Sequence, residues 1–170
     1  MNKNQIEIER KFVILKPDLA LLSVLDGYSD SEITQTYLSS SRGITHRVRK
    51  RVKNGEAVYT ETKKIRIDGM SAIEQERELT AEEYASLLSL IAEGTRPILK
   101  RRVTFIYSDK LFEIDIYPEW GQCAILEIEL DTREECFAFP DFIRVVAEVT
   151  GDFSYSNASM SRAFPKEPEQ

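Results

Sequence analysis

Hydrophobic and polar residues alternate from the start of the chain. In Ile6-Glu7-Ile8-Glu9-Arg10-Lys11-Phe12 the period is two, which predicts a strand. Glu7, Glu9 and Lys11 share one face; Ile6, Ile8 and Phe12 hold the other, with Arg10 as its polar member. The same alternation returns in Ile33 to Ser39, Ile44 to Lys53, Ala57 to Ile67, Glu74 to Leu79, Ile98 to Tyr107, Leu111 to Tyr117 and Ala124 to Leu130. Asn54-Gly55 is a hairpin signal between two of these runs, and Asp26-Gly27 and Asp68-Gly69 mark further turns. Helical patterning is sparse. Asp18 to Leu25 reads as a short helix. Thr80-Ala81-Glu82-Glu83 is a capping box opening a helix to about Ala92, with Tyr84, Leu87, Leu88 and Ile91 as its apolar stripe and Gly94 as its stop. Pro140 to Glu148 also reads as helical. Thr150 to Ala163 is irregular or short-helical, and Lys166 to Gln170 is expected to fray. These readings set one domain over residues 1–170, with an ordered core over 5–163.

The charged faces carry one sign per strand. Acids recur at i, i+2 in Glu7/Glu9, Glu76/Glu78, Glu113/Asp115 and Glu127/Glu129. Bases do so in Arg47/Arg49 and Lys100/Arg102, joined by Lys11 and Lys64. A solvated sheet face would mix signs, because like charges across neighbouring strands destabilise. The opposite faces are apolar, and the helix stripe needs an apolar surface to cover. The expected fold is therefore α+β, mainly antiparallel β: an eight-stranded closed or nearly closed tunnel barrel with a charged lumen and helices packed outside.

Composition narrows the function. The chain has 23 Lys+Arg against 29 Asp+Glu, a net charge of −6. Long nucleic acid is not expected as a partner, since phosphate neutralisation needs a broad basic face. A small polyanion in a locally basic cavity stays open. No apolar run of about eighteen residues predicts a membrane span, and no apolar leader opens the chain. Cys123 and Cys136 stand in no metal-ligand spacing and are expected as free thiols in a reducing cytoplasm. The single histidine, His46, cannot build a histidine zinc site. About seven acids in one lumen would raise each other's pKa unless cations entered. Oxygen-only donors point to Mg²⁺ or Mn²⁺, with Arg and Lys left to hold phosphate oxygens.

Glu7-x-Glu9-x-Lys11, Gln35-x-Tyr37-Leu38, Arg47-x-Arg49, Thr62-x-Lys64, Glu76-x-Glu78, Lys100-x-Arg102, Glu113-x-Asp115, Glu127-x-Glu129 and Glu148-Val149-Thr150-Gly151-Asp152 follow one another in that order. Together they resemble the CYTH superfamily, the triphosphate tunnel metalloenzymes, from Ile6 to about Arg162. The resemblance implies metal-dependent hydrolysis of a short triphosphate, inorganic tripolyphosphate first. Thiamine triphosphatase, class IV adenylyl cyclase and a non-catalytic polyphosphate-binding module are the alternatives. It implies Glu7, Glu9, Glu127 and Glu129 as metal ligands, with Glu76, Glu78 and Asp115 as further acids. Lys11, Arg47, Arg49, Lys64, Lys100 and Arg102 would hold phosphates. Lys11, with Glu7 and Glu9, would also act in catalysis by orienting or deprotonating water. The Thr-x-Lys spacing favours Lys64 over Lys63. Arg101 stands where many relatives have Thr, and Phe153 and Ser154 where relatives often carry a basic pair. Trp120 and Tyr117 are aromatic candidates at a tunnel mouth, with packing as the expected role. A monomer or homodimer is expected.

Overall fold

The computed structural model describes residues 5–169. Among these, nine strands form: β1 (Gln5–Leu15), β2 (Ser29–Leu38), β3 (Ile44–Lys53), β4 (Glu56–Arg66), β5 (Ser71–Leu79), β6 (Ile98–Tyr107), β7 (Lys110–Ile116), β8 (Cys123–Leu130) and β9 (Val145–Glu148). Three short helices accompany them: α1 (Leu19–Leu22), α2 (Ala81–Leu87) and α3 (Asn157–Met160). The strands lie in the order β5-β4-β3-β2-β6-β7-β8-β1, and β1 pairs back onto β5. Eight antiparallel strands thus close into a barrel. At the β3–β4 hairpin, Asn54 and Gly55 both take positive φ (51° and 82°), the geometry that lets two residues join twisted strands.

The apolar faces point outward. Phe12 and Ile14 on β1, Val103 and Phe105 on β6, Phe112 and Ile114 on β7, and Leu126 and Ile128 on β8 form one buried cluster. Leu22 of α1 and Ile143 cover it. A second outer cluster joins Leu38, Val48 and Leu79 to Tyr84, Leu87 and Leu88 of α2 and its following turn. Ile91, expected in the same stripe, is exposed. The Thr80 hydroxyl and the Glu83 carboxylate make both bonds of the capping box. Each fully enclosed Leu, Ile or Phe here is worth about 1.5–3 kcal/mol. Buried ion pairs roughly break even against desolvation. Apolar packing, and not the charged part of the lumen, therefore holds the barrel together.

The segment 140–148 is not the expected helix. Its last four residues are β9, pairing with Phe12 to Ile14 of β1. The reason is tertiary. β1 pairs with β5 only over its first residues, Ile8 being opposite Ser71. Beyond that point its outer edge needs another partner, and the β-branched pair Val145-Val146 supplies one. The tail also departs from fraying. The Glu167 carboxylate accepts from the Gly121, Gln122 and Cys123 amides, and Trp120 Nε1 donates to the Pro165 carbonyl. The expectation for Gln170 lies outside the described residues. No helix among the described residues is long and apolar enough to cross a membrane. Both cysteines are unpaired.

The seam between β1 and β5 closes beside the lumen by backbone contact. Gly151 has φ +78°, and a Cβ there would sit 3.3 Å from the Gly69 Cα. Gly151→Ala is expected to destabilise the protein by about 1–2 kcal/mol, read as a lower midpoint in urea unfolding at unchanged slope.

Candidate active site

The lumen-facing positions change character along the barrel. Glu7, Glu9 and Lys11 on β1 give way to Val13. Glu129 and Glu127 on β8 give way to Ile125 and Cys123, and Glu113 and Asp115 on β7 give way to Tyr117. Val13, Ile98, Tyr117, Trp120, Cys123 and Ile125 join Tyr37, Val149 and Met160 of α3 in a buried apolar cluster. This cluster stops one part of the lumen, so α3 lies against the inside of the barrel rather than outside it. Trp120 and Tyr117 belong to this stopper, 2% and 1% exposed, and neither stands at a mouth.

The charged remainder encloses a cavity of about 840 Å³. Of the expected site residues, Glu7, Glu9, Lys11, Arg47, Arg49, Lys64, Glu76, Arg102, Glu127 and Glu129 line it. Lys63 is exposed on the other face of β4. Arg101 also points outward, pairing with Asp30 at 2.5 Å. Glu78 is exposed and outside the lining, because its strand runs past the cavity there. Lys100 and Asp115 lie behind the lining and pair with each other at 2.5 Å, neither side chain more than 1% exposed. Four charged lining residues were not among the expected set, Arg51, Arg66, Glu74 and Glu113; all are accounted for by parity, since Arg51 continues Arg47/Arg49, Arg66 continues Lys64, Glu74 precedes Glu76 and Glu113 precedes Asp115.

Strand order sets two walls against each other. β3 and β8 are four places apart in the ring of eight, hence opposite. β3 presents Arg47, Arg49 and Arg51. Among the described residues Arg49 donates to the neutral Gln35 Oε1, at 3.2 and 3.3 Å, and Arg47 reaches the same oxygen at 3.4 Å. Arg47 meets a carboxylate, Glu74, only at 4.0 Å. The buried Nε atoms of Arg47 and Arg51 have no hydrogen-bond partner among the described residues. Burial, with Arg47 and Arg102 close by, pushes the Arg49 guanidinium down to about 9. This wall lacks an anion.

The facing wall is acidic and only partly neutralised. Register places Glu9 opposite Glu129, and Glu113 opposite Glu127. Burial would raise Glu127, but Lys11 at 2.9 Å and Arg102 at 2.9 Å hold it well below the usual carboxylate range. Arg102 also binds Glu113 at 2.6 Å. Glu129 has no ion-pair partner among the described residues; burial, then Glu113 and Glu9, push its carboxyl up. To one side, Lys64 binds Glu74 at 2.7 Å and Glu7 at 3.4 Å. Burial, then Glu74, push Glu7 up to about 7.

An inorganic triphosphatase, NE1496, shares this architecture: TM-score 0.59, 25% identity, over 94% of this chain and 96% of its own. This likeness is consistent with the triphosphate tunnel superfamily. Two further tunnel-like structures show the fold alone. The PH1012 protein from Pyrococcus horikoshii OT3 matches at TM-score 0.57 and 22% identity, over 75% of this chain and 80% of its own. A protein from Vibrio parahaemolyticus provisionally assigned as an adenylate cyclase matches at 0.54 and 15%, over 77% and 80%. No family model matches the chain, and no curated protein matches it in sequence.

The donors of the tunnel fit a hard dication. They are oxygen only, and Glu129, which has no ion pair among the described residues, is repelled by Glu113 and Glu9. Among the described residues no three acids are drawn together closely enough to hold a metal ion. The raised Glu7 value has a measurable sign. Its contribution to stability is fully present below about 4.5 and is lost as pH rises through about 7. Metal-free protein is therefore expected to lose about 2 kcal/mol between pH 5 and pH 8 that Glu7→Gln does not lose, read as the difference in urea stability between the two proteins.

Proposed function

We propose that the protein is a divalent-metal-dependent triphosphatase whose first substrate is inorganic tripolyphosphate. The observation that carries this reading is the pair of opposed walls. Buried arginines whose hydrogen bonds go to the neutral Gln35 face glutamates set opposite one another, across one charged cavity. A polyanion satisfies the first wall and a dication the second. A simple anion site would not gather seven acids, and a simple cation site would not gather the arginines. The likeness to an inorganic triphosphatase at 25% identity supports the same reading.

Arg47, Arg49 and Arg51 would hold phosphate oxygens through their forks, with Lys64 as a point charge beside them. Arg102 sits between the walls and contributes positive charge where the transferred phosphoryl group would lie. Glu9, Glu113 and Glu129 would hold Mg²⁺ or Mn²⁺, with Glu7 and Glu127 alongside. Such an ion supplies charge neutralisation and polarises phosphoryl oxygens when bound. Burial alone would lower Lys11, but Glu127 and Glu9 keep it protonated. It is thus a donor that orients water or a phosphate oxygen, and it does not take the water's proton. Glu7, near 7, is placed to accept a proton at neutral pH. The protein's part is mainly positioning and electrostatic stabilisation, as phosphoryl transfer requires.

One observation favours a second reading, a nucleoside triphosphate substrate. Phe153, 57% exposed, lines the cavity with Arg66 4.8 Å over its ring, and offers a flat apolar face to a base. The test is phosphate release from tripolyphosphate, ATP, GTP and thiamine triphosphate with Mg²⁺ or Mn²⁺. Tripolyphosphate is expected to turn over fastest. Glu129→Gln is expected to lower its rate by about a hundredfold, and chelation to abolish it. Binding without turnover would instead make the protein a polyphosphate-binding module. Turnover untouched by Glu129→Gln or by chelation would refute the assignment.

A further inference from the structure

Asp115 projects from β7 on the lumen-facing side, yet both its oxygens are already engaged. Oδ1 accepts from Arg102 Nε at 2.6 Å. Oδ2 accepts from Arg102 Nη2 at 2.7 Å and from Lys100 Nζ at 2.5 Å. The pairing with Arg102 is a bidentate fork, which fixes the guanidinium plane as well as its position. A metal bound by Asp115 would displace two cations and leave Lys100 enclosed without a counter-charge, a costly exchange. Glu113, two residues earlier on the same face, reaches the lumen and is 27% exposed in its side chain. Behind Asp115 the network continues. The Tyr117 hydroxyl lies 3.5 Å from Asp115 Oδ2 and donates to Asn157 Oδ1 at 2.8 Å. Asn157 stands on α3 and lines the cavity.

We infer that Asp115 is a positioning residue of the anion site and not a metal ligand. It aims Arg102 at the bound anion, and Tyr117 ties that aim to Asn157 on the stopper. Glu113 takes the place in the acidic wall that the spacing offered to Asp115. The inference rests on the reading of the lumen as a phosphate site, but it concerns binding and not turnover.

The test is therefore an equilibrium one: calorimetric binding of tripolyphosphate in chelator, where no hydrolysis proceeds. Asp115→Asn is expected to weaken binding about tenfold in the wild-type background, and by less than about twofold once Arg102→Ala is present. Tyr117→Phe removes only a hydroxyl and keeps the test open if Asp115→Asn fails to fold. It is expected to weaken binding about threefold, again only while Arg102 is intact. In separate titrations, Mn²⁺ affinity should survive Asp115→Asn within about twofold and fall about tenfold in Glu113→Gln. Additive effects of Asp115 and Arg102, a loss of Mn²⁺ affinity in Asp115→Asn, or wild-type protein that binds no tripolyphosphate would each overturn the inference. Binding that follows this cycle in a protein without turnover would leave it standing while removing the hydrolase assignment.

Discussion

Glu9 faces Glu129 across one ladder, and Glu113 faces Glu127 across the next. Like charges in such positions cost free energy, and nothing local asks for them. They are held there from outside. The same register sets Ile8 against Leu130 and Phe12 against Leu126 on the outer face, where the apolar cluster lies. A slip of one residue would exchange the two faces and put that cluster into the lumen. The outer core thus imposes the acidic wall, and a cation entering it would relieve that repulsion.

The second wall follows from closure. Had the sheet stayed open, the arginines of β3 would have faced water and the glutamates of β8 would have stood four strands away. Closing β5 onto β1 brings them face to face across a cavity of about 840 Å³. In that setting Gln35 matters out of proportion to its charge. Its one carbonyl oxygen accepts from Arg47 and Arg49 together. It orients both forks without neutralising either, so their charge remains for a ligand.

The stopper explains how so polar an interior coexists with a folded chain. Charged lumen positions end where Val13, Ile98, Tyr117 and Ile125 begin, and Met160 of α3 packs among them. The barrel therefore has an ordinary core at one level and a charged cage at another. Tyr117 belongs to both, its ring in the apolar cluster and its hydroxyl between Asp115 and Asn157. A change at the stopper reaches the cage through that side chain.

Strand periodicity, the one-signed charged faces, the Asn54-Gly55 hairpin and the Thr80 capping box were all legible in the sequence, because each is a local pattern of two to four residues. The same parity marked Glu7, Glu9, Arg47, Arg49, Lys64 and Glu129 as members of one lumen. What parity lacks is a level along the barrel axis. It could not separate Glu113, in the cavity, from Asp115, locked behind it by Lys100 and Arg102, nor see that Glu78 runs past the cavity. Nor could it show that Val145 to Glu148 would become a strand, since that depends on an edge of β1 left bare by a short β1–β5 seam. Sequence by itself determined which face of each strand is charged. Register and closure decided which charges meet, because those are set by contacts between segments far apart in the chain.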